Sequence, residues 1–273
     1  MICGSPLGLR VIAALRQQCF LGFRSVRREP PTVRVSTLVN NTTYTIEDQN
    51  RMARAKNYFA WLGRLVAREI GQRVVEIGCG LGNFTPMLLE REVVIALDIK
   101  PECIERLKER YPNKNNLHLF VCDVNSPAFS GLIRFQADSC VCLNVLEHIA
   151  DDQRALKSMA GILVPGGVIV LLIPAFQALY GPIDENLGHH RRYSRDSIEK
   201  LAEASGLRLK KVRYVNVIGF FGWWANSHIF RRGAQSEGQI EVFDRYFVPF
   251  VSRLESLVRI PIGQSLFVVL QKP

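Results

Sequence analysis

Glu76, Gly78, Gly80 and Gly82, with Asp98 further along, are the residues whose types and spacing point most directly to chemistry. In Val74-Val75-Glu76-Ile77-Gly78-Cys79-Gly80-Leu81-Gly82-Asn83-Phe84-Thr85, β-favouring residues run into three glycines at alternate positions. Such a loop brings backbone against a ligand, because glycine has no Cβ and tolerates positive φ. A helix begun directly after it, predicted over residues 86–90, would aim its unpaired amides at the same ligand. Asp98 stands 22 residues beyond Glu76, closing a second apolar stretch. A carboxylate there can accept hydrogen bonds from both hydroxyls of a ribose, so these residues describe a nucleoside site. The dinucleotide fingerprint G-x-G-x-x-G would need glycine where Asn83 stands, which disfavours an NAD-binding oxidoreductase.

The elements that position these residues follow from periodicity. Thr45-Ile46-Glu47-Asp48 has the form of a capping box, and Met52, Ala55, Phe59, Leu62, Val66 and Ile70 then recur at helical spacing. Tyr58 on this helix is read as core packing or as a lid over the ligand. Apolar strands at 74–77, 93–97, 117–122, 139–143 and 168–173 alternate with helical patterns at 101–110 and 151–162. Two more strands are predicted at 207–215 and 265–270. The alternation implies a doubly wound α/β sheet, mostly parallel, with helices on both faces and its ligand at the carboxyl ends of the strands.

Glu-x-Gly-x-Gly-x-Gly, Asp98, Asn144-Val145-Leu146-Glu147-His148-Ile149 and Leu163-Val164-Pro165-Gly166-Gly167 together resemble the class I S-adenosylmethionine (SAM)-dependent methyltransferases, small-molecule and quinone-biosynthesis types included. The resemblance covers residues 46–215 and the final strand. It implies a seven-stranded Rossmann-like sheet and SAM as cofactor, with S-adenosylhomocysteine as product and no metal. Expected cofactor contacts are Glu76, Gly78, Gly80, Gly82, Asn83, Asp98, Ile99, Asp123, Val124 and Asn144. In the family such an acid as Asp123 contacts the adenine amino group, and its apolar neighbour packs on the ring. Asn144 is not followed by the Pro-Pro-Tyr/Phe of amino-methylating nucleic-acid enzymes, so DNA is disfavoured as acceptor.

Beyond the fifth strand, Asp, His, Arg and Tyr crowd one loop, Leu179 to Tyr193, and can bind an anionic or hydroxylated acceptor. Tyr180, Asp184, His189 and Arg192 are the expected acceptor contacts. His148, His190 and Tyr193 are expected to position the acceptor or take its proton. An aromatic helical insertion, residues 216–262, precedes the last strand and carries Phe220, Phe221, Trp223, Trp224, Phe230, Tyr246, Phe247 and Phe250. It reads as a core of extra helices, as the roof of an apolar acceptor pocket or, with Arg231-Arg232, as a membrane-surface contact. The expected acceptor is therefore a small or lipid-like molecule; an RNA- or protein-directed methyltransferase, or a non-catalytic SAM-binding module, stays as an alternative.

The net charge of +10 divides as +7 over residues 1–72, −2 over 73–183 and +5 over 184–273, so the basic excess lies on the flanks. Seven cysteines without a C-x-x-C pair fit a reducing compartment. Residues 1–44 read as a basic leader outside a methyltransferase domain at 45–273, and targeting by residues 1–30 stays open. No apolar run reaches the roughly 18 residues of a spanning helix. A cytoplasmic protein with peripheral membrane contact is expected.

Overall fold

Short runs of Val, Ile and Leu pair side by side in this chain, and a computed structural model describes the result for residues 45–230 and 236–273. Among the described residues the sheet has seven strands: β1 Arg73–Ile77, β2 Val93–Asp98, β3 Leu117–Val121, β4 Ala137–Leu143, β5 Leu163–Pro174, β6 Arg208–Val215 and β7 Ser265–Gln271. The helices are α1 Ile46–Met52, α2 Lys56–Val66, α3 Pro101–Arg110, α4 Asp152–Ile162, α5 Pro182–Leu187, α6 Arg195–Ala204, α7 Val217–Trp224, α8 Glu237–Val242 and α9 Val248–Leu257. Strand order is β3-β2-β1-β4-β5-β7-β6, with β7 antiparallel to both neighbours and the other pairs parallel. Chain order reverses direction across β1 and β4, so the carboxyl ends of those strands flank the crevice where open α/β sheets bind ligands.

Both sheet faces are buried, which is why the central strands show no polar alternation. Val75, Ile77, Ile95, Leu97, Cys140, Cys142, Ile169 and Leu171 point to one face, and Val74, Val94, Val141, Val170 and Leu172 to the other. Cys140 and Cys142 are thus core residues.

Three expectations about elements need correction. The single helix over 46–70 is two, because the chain breaks at Ala53 to Ala55 and α2 starts anew under a cap supplied from far away: Asp244 accepts from the amides of Asn57 (3.0 Å) and Tyr58 (2.8 Å). The helix expected after the glycine loop is only a 3₁₀ turn, Thr85–Met87. Pro86 withdraws a donor there and β2 begins at Val93, leaving no length for α-helical propagation. The fifth strand, expected from residue 168, begins earlier: Leu163 pairs with Ala137, and a register shift with Gly166 at φ 77° bulges the strand before Val168.

The insertion is helical. α7 runs on into a π-helical turn, Ala225–Ile229, and α8 joins α9 through another, Phe243–Phe247. Pro249 in the first turn of α9 cannot donate to the preceding ladder, and the π turn absorbs the lost register. That turn aims Asp244 at α2, while Glu255 of α9 accepts from the amides of Asn216 (3.1 Å) and Val217 (2.9 Å) at the start of α7. Two buried carboxylates thus fix the insertion by capping helix N-termini. The expected leader, residues 1–44, and Arg231-Arg232 lie outside the described residues.

Candidate active site

Gly78, Gly80 and Gly82 all take positive φ (71°, 54° and 75°). A Cβ on Gly80 would lie 2.4 Å from Gln49 Oε1, and one on Gly78 2.5 Å from Val145 Cγ2, so the loop tolerates no side chain at either point. Gln49 of α1 is the residue that sequence reasoning missed here. It is buried, its Oε1 accepts from the Leu81 amide at 2.7 Å, and its carbonyl accepts from Asn83 Nδ2 at 2.9 Å. α1 therefore clamps the glycine loop, and the outer side of Gly80 carries the Gln49 side chain.

Glu76 and Asp98 are both bonded to the loop region and feel each other's charge. Thr85 Oγ1 donates to Glu76 Oε2 at 2.7 Å, and the Gly80 amide donates to Asp98 Oδ2 at 2.8 Å. Asp98 Oδ1 accepts from the Lys100 amide at 2.9 Å. Burial pushes the Glu76 carboxyl up to about 8, against the Thr85 hydrogen bond and with help from the Asp98 charge. Burial raises Asp98 too, and its backbone hydrogen bonds oppose the rise. Two acids thus lie beside the glycine loop at the carboxyl ends of β1 and β2, a set of groups whose chemistry suits a cationic nucleoside.

The third acid does not join them. Asp123 is exposed beyond β3, and its Oδ1 accepts from the Asn125 amide at 2.8 Å. Among the described residues no hydrogen bond links it to Asp98 or the loop. Val124 is buried in the main core, and Ile99 is exposed on the rim beside Asp98.

At the end of β4, Asn144 has φ 53°, a conformation asparagine accepts better than most residues, and its amide donates to Leu172 O at 2.8 Å. This bend swings Leu146–His148 out as a 3₁₀ turn at the switch point. Tyr58 hydrogen-bonds to the Asn144 side chain, and burial pushes its phenol up to about 12. Tyr58 also packs edge-on against Phe59 and Trp61, so it links α2 to β4 as a core residue that reaches the site.

The polar loop after β5 packs onto that turn. Ala175 bridges to Tyr193, and Phe176, at φ 60°, stacks on Tyr214 with ring centres 4.7 Å apart. His148 and His189 meet edge to face with centroids 4.7 Å apart, and His189 Nδ1 lies 2.8 Å from Asp184 Oδ1. Burial lowers His148 to about 3, and the neighbouring His189 adds to the fall, so its ring is neutral near pH 7. Burial pushes Glu147 up to about 7, opposed by His189.

Most residues expected to touch an acceptor are instead engaged in holding this loop. Asp184 is fully buried and accepts from Arg192 Nε (2.9 Å) and Trp223 Nε1 (3.2 Å) while meeting His189, so it is a hub between loop and insertion. Arg192 stacks over Trp223 and donates to Ala175 O. Tyr180 donates its hydroxyl to His189 O at 2.8 Å. Tyr193 donates to Asp152 Oδ2 at 3.0 Å, and burial pushes its phenol far up, which removes it as a proton acceptor. His190 donates its amide to Glu147 O but is exposed. His148 and His189 are brought together; Tyr193 and His190 are not part of that pair. Glu147 and Asp152 went unnamed as site residues, since an acid in a motif does not reveal whether it is buried.

A family profile described as a methyltransferase domain matches residues 46–212. Trans-aconitate 2-methyltransferase of Rhodopseudomonas palustris is 26% identical over 106 residues, which cover 38% of this chain and 39% of that protein. A ubiquinone biosynthesis O-methyltransferase of Coxiella burnetii is 24% identical over 153 residues, 51% of this chain and 64% of that one. The matches thus span less than two thirds of either relative. A solved structure from the complex between a methyltransferase activator and a methyltransferase of Haloferax volcanii superposes over 84% of this chain and 96% of its own, with TM-score 0.57 and 16% identity, a likeness of fold.

Proposed function

Since the chain belongs to the class I SAM-dependent methyltransferase family, we propose that it transfers the methyl group of SAM to a small or lipid-like acceptor. The observation that carries this reading is the placement of Glu76 and Asp98 beside the glycine loop, with Gly80 bonded to Asp98. These residues fit the cofactor: carboxylates for the ribose hydroxyls and the cationic methionine end, and a glycine loop whose positive φ values let backbone approach a ligand. SAM supplies an already activated methyl group; the protein's own part is orientation and exclusion of water. Tyr58 of α2, Asn144 and His148 lie around the end of β4, where they can position an acceptor. Relatives named for methylating trans-aconitate and a ubiquinone precursor support a small organic acceptor. Incubation of methyl-labelled SAM with fractionated extract tests the reading. Label is expected in small-molecule or lipid fractions, and Asp98→Ala should reduce it at least about tenfold by weakening ribose contacts. Calorimetric binding of NAD with no heat from SAM would overturn it.

We also propose that the helical insertion rests on a lipid surface, a reading supported by its exposed apolar side chains. Phe221, Trp224, Phe230, Val242, Tyr246, Phe250 and Leu257 of the insertion are each exposed, and exposed large apolar side chains concentrated in one segment suit a contact surface. The insertion's acids are consumed internally: Asp244 and Glu255 cap helices, and Glu237 and Glu241 pair with Arg54. Arg245, Arg253 and Arg259 are exposed beside the aromatics, and such a face complements an anionic membrane surface. Among the described residues no helix is long and apolar enough to cross a membrane.

A further inference from the structure

We propose that Glu147, His148 and His189 form a binding site for one divalent transition-metal ion. One donor atom from each of the three lies within 4.8 Å of the others. Donors held about 2.1 Å from a shared tetrahedral ion stand about 3.4 Å apart, so side-chain shifts of about an ångström bring all three onto one centre. His189 Nε2 is already 4.0 Å from Glu147 Oε1.

Two features separate this cluster from a chance meeting of polar residues. Glu147 is only 1% exposed, and neither carboxylate oxygen has a hydrogen-bond partner among the described residues. A buried carboxylate left so costs more than a hydrogen bond is worth, unless a cation joins it. The nearby cations act only at a distance: Arg192 Nε is bonded to Asp184 at 2.9 Å, and His189 Nε2 stands 4.0 Å from Glu147 Oε1, beyond hydrogen-bond reach. The second feature is orientation. Asp184 can only accept, so a neutral His189 ring keeps its proton on Nδ1 and turns the Nε2 lone pair toward Glu147. Carboxylate behind histidine behind metal is the usual outer support of such sites, and it fixes both tautomer and ring angle. One carboxylate with two imidazoles suits manganese, iron, cobalt or zinc in the divalent state, and three protein donors leave positions for water or an acceptor oxygen.

Manganese is the probe of choice, because seven cysteines would compete for zinc. The full-length chain, freed of metal by a chelator, is titrated with Mn²⁺ without SAM, following loss of the free-ion electron paramagnetic resonance signal. One Mn²⁺ per chain is expected. Glu147→Gln and His189→Ala should each weaken binding at least about tenfold. Metal-free Glu147→Gln should melt no lower than wild type, since it removes an uncompensated buried charge, and it decides the matter alone should His189→Ala not fold. No Mn²⁺ uptake by the wild type, or equal affinity in Glu147→Gln, overturns the proposal. With SAM absent, either outcome leaves the reading as a methyltransferase where it was.

Discussion

Glu76 shows what a single buried acid does to pH behaviour. Its folded-state pKa, about 8, lies above the unfolded value, so the protein binds its proton more tightly when folded. The resulting stability is present in full below the unfolded pKa near 4.5 and is lost as pH rises toward 8. For this one group the slope reaches at most about 1.4 kcal/mol per pH unit. Glu76→Gln, which cannot ionise, should therefore gain stability relative to wild type between pH 5 and 8. Urea denaturation of both proteins across that range reads the difference. A gap that stays constant with pH would mean that Thr85 and the loop keep the carboxylate charged. The presence of an acid at this position was legible, because acid and glycines are contiguous. Its partner Thr85 and the clamp from Gln49 were not, since both contacts arise only when the turn and α1 fold back.

At the scale of elements, the insertion is held by long-range caps. Asp244 satisfies two orphan amides of α2, the helix that brings Tyr58 to Asn144. Asp244→Ala should cost about 1–2 kcal/mol, as loss of an N-cap does, and lower the melting temperature by several degrees. Asp244→Asn should recover most of the loss. Equal melting of Asp244→Ala and wild type would show that packing, not the cap, starts α2. Strand positions were legible from apolar runs alone because buried parallel strands have no polar face. The break between α1 and α2 was not, for no glycine or proline marks it and its cause lies 186 or more residues away in the chain. The absent helix after the glycine loop had a local sign, Pro86, which the helical reading placed at a first turn when it belonged to a short 3₁₀ turn.

For the molecule as a whole, the membrane proposal makes a prediction about lipid charge. The insertion should bind phosphatidylserine-containing vesicles in preference to pure phosphatidylcholine, with each surface arginine worth about 1 kcal/mol and salt weakening the contact. Trp224→Ser with Phe250→Ser should release the protein in a vesicle sedimentation assay; equal sedimentation with both lipids would refute a charge-led contact. The sequence by itself determined the doubly wound fold, the order of its strands' apolar segments and the glycine loop with its two acids, because each is written in contiguous residues whose local geometry admits few alternatives. Only the tertiary structure decided that Asp123 stands apart, that Asp184, Arg192 and Tyr193 are braces, and that Glu147 is left buried without a hydrogen bond beside two histidines. Those outcomes depend on which side chains meet across β4, the loop after β5 and the helical insertion, and on how much water each one loses there.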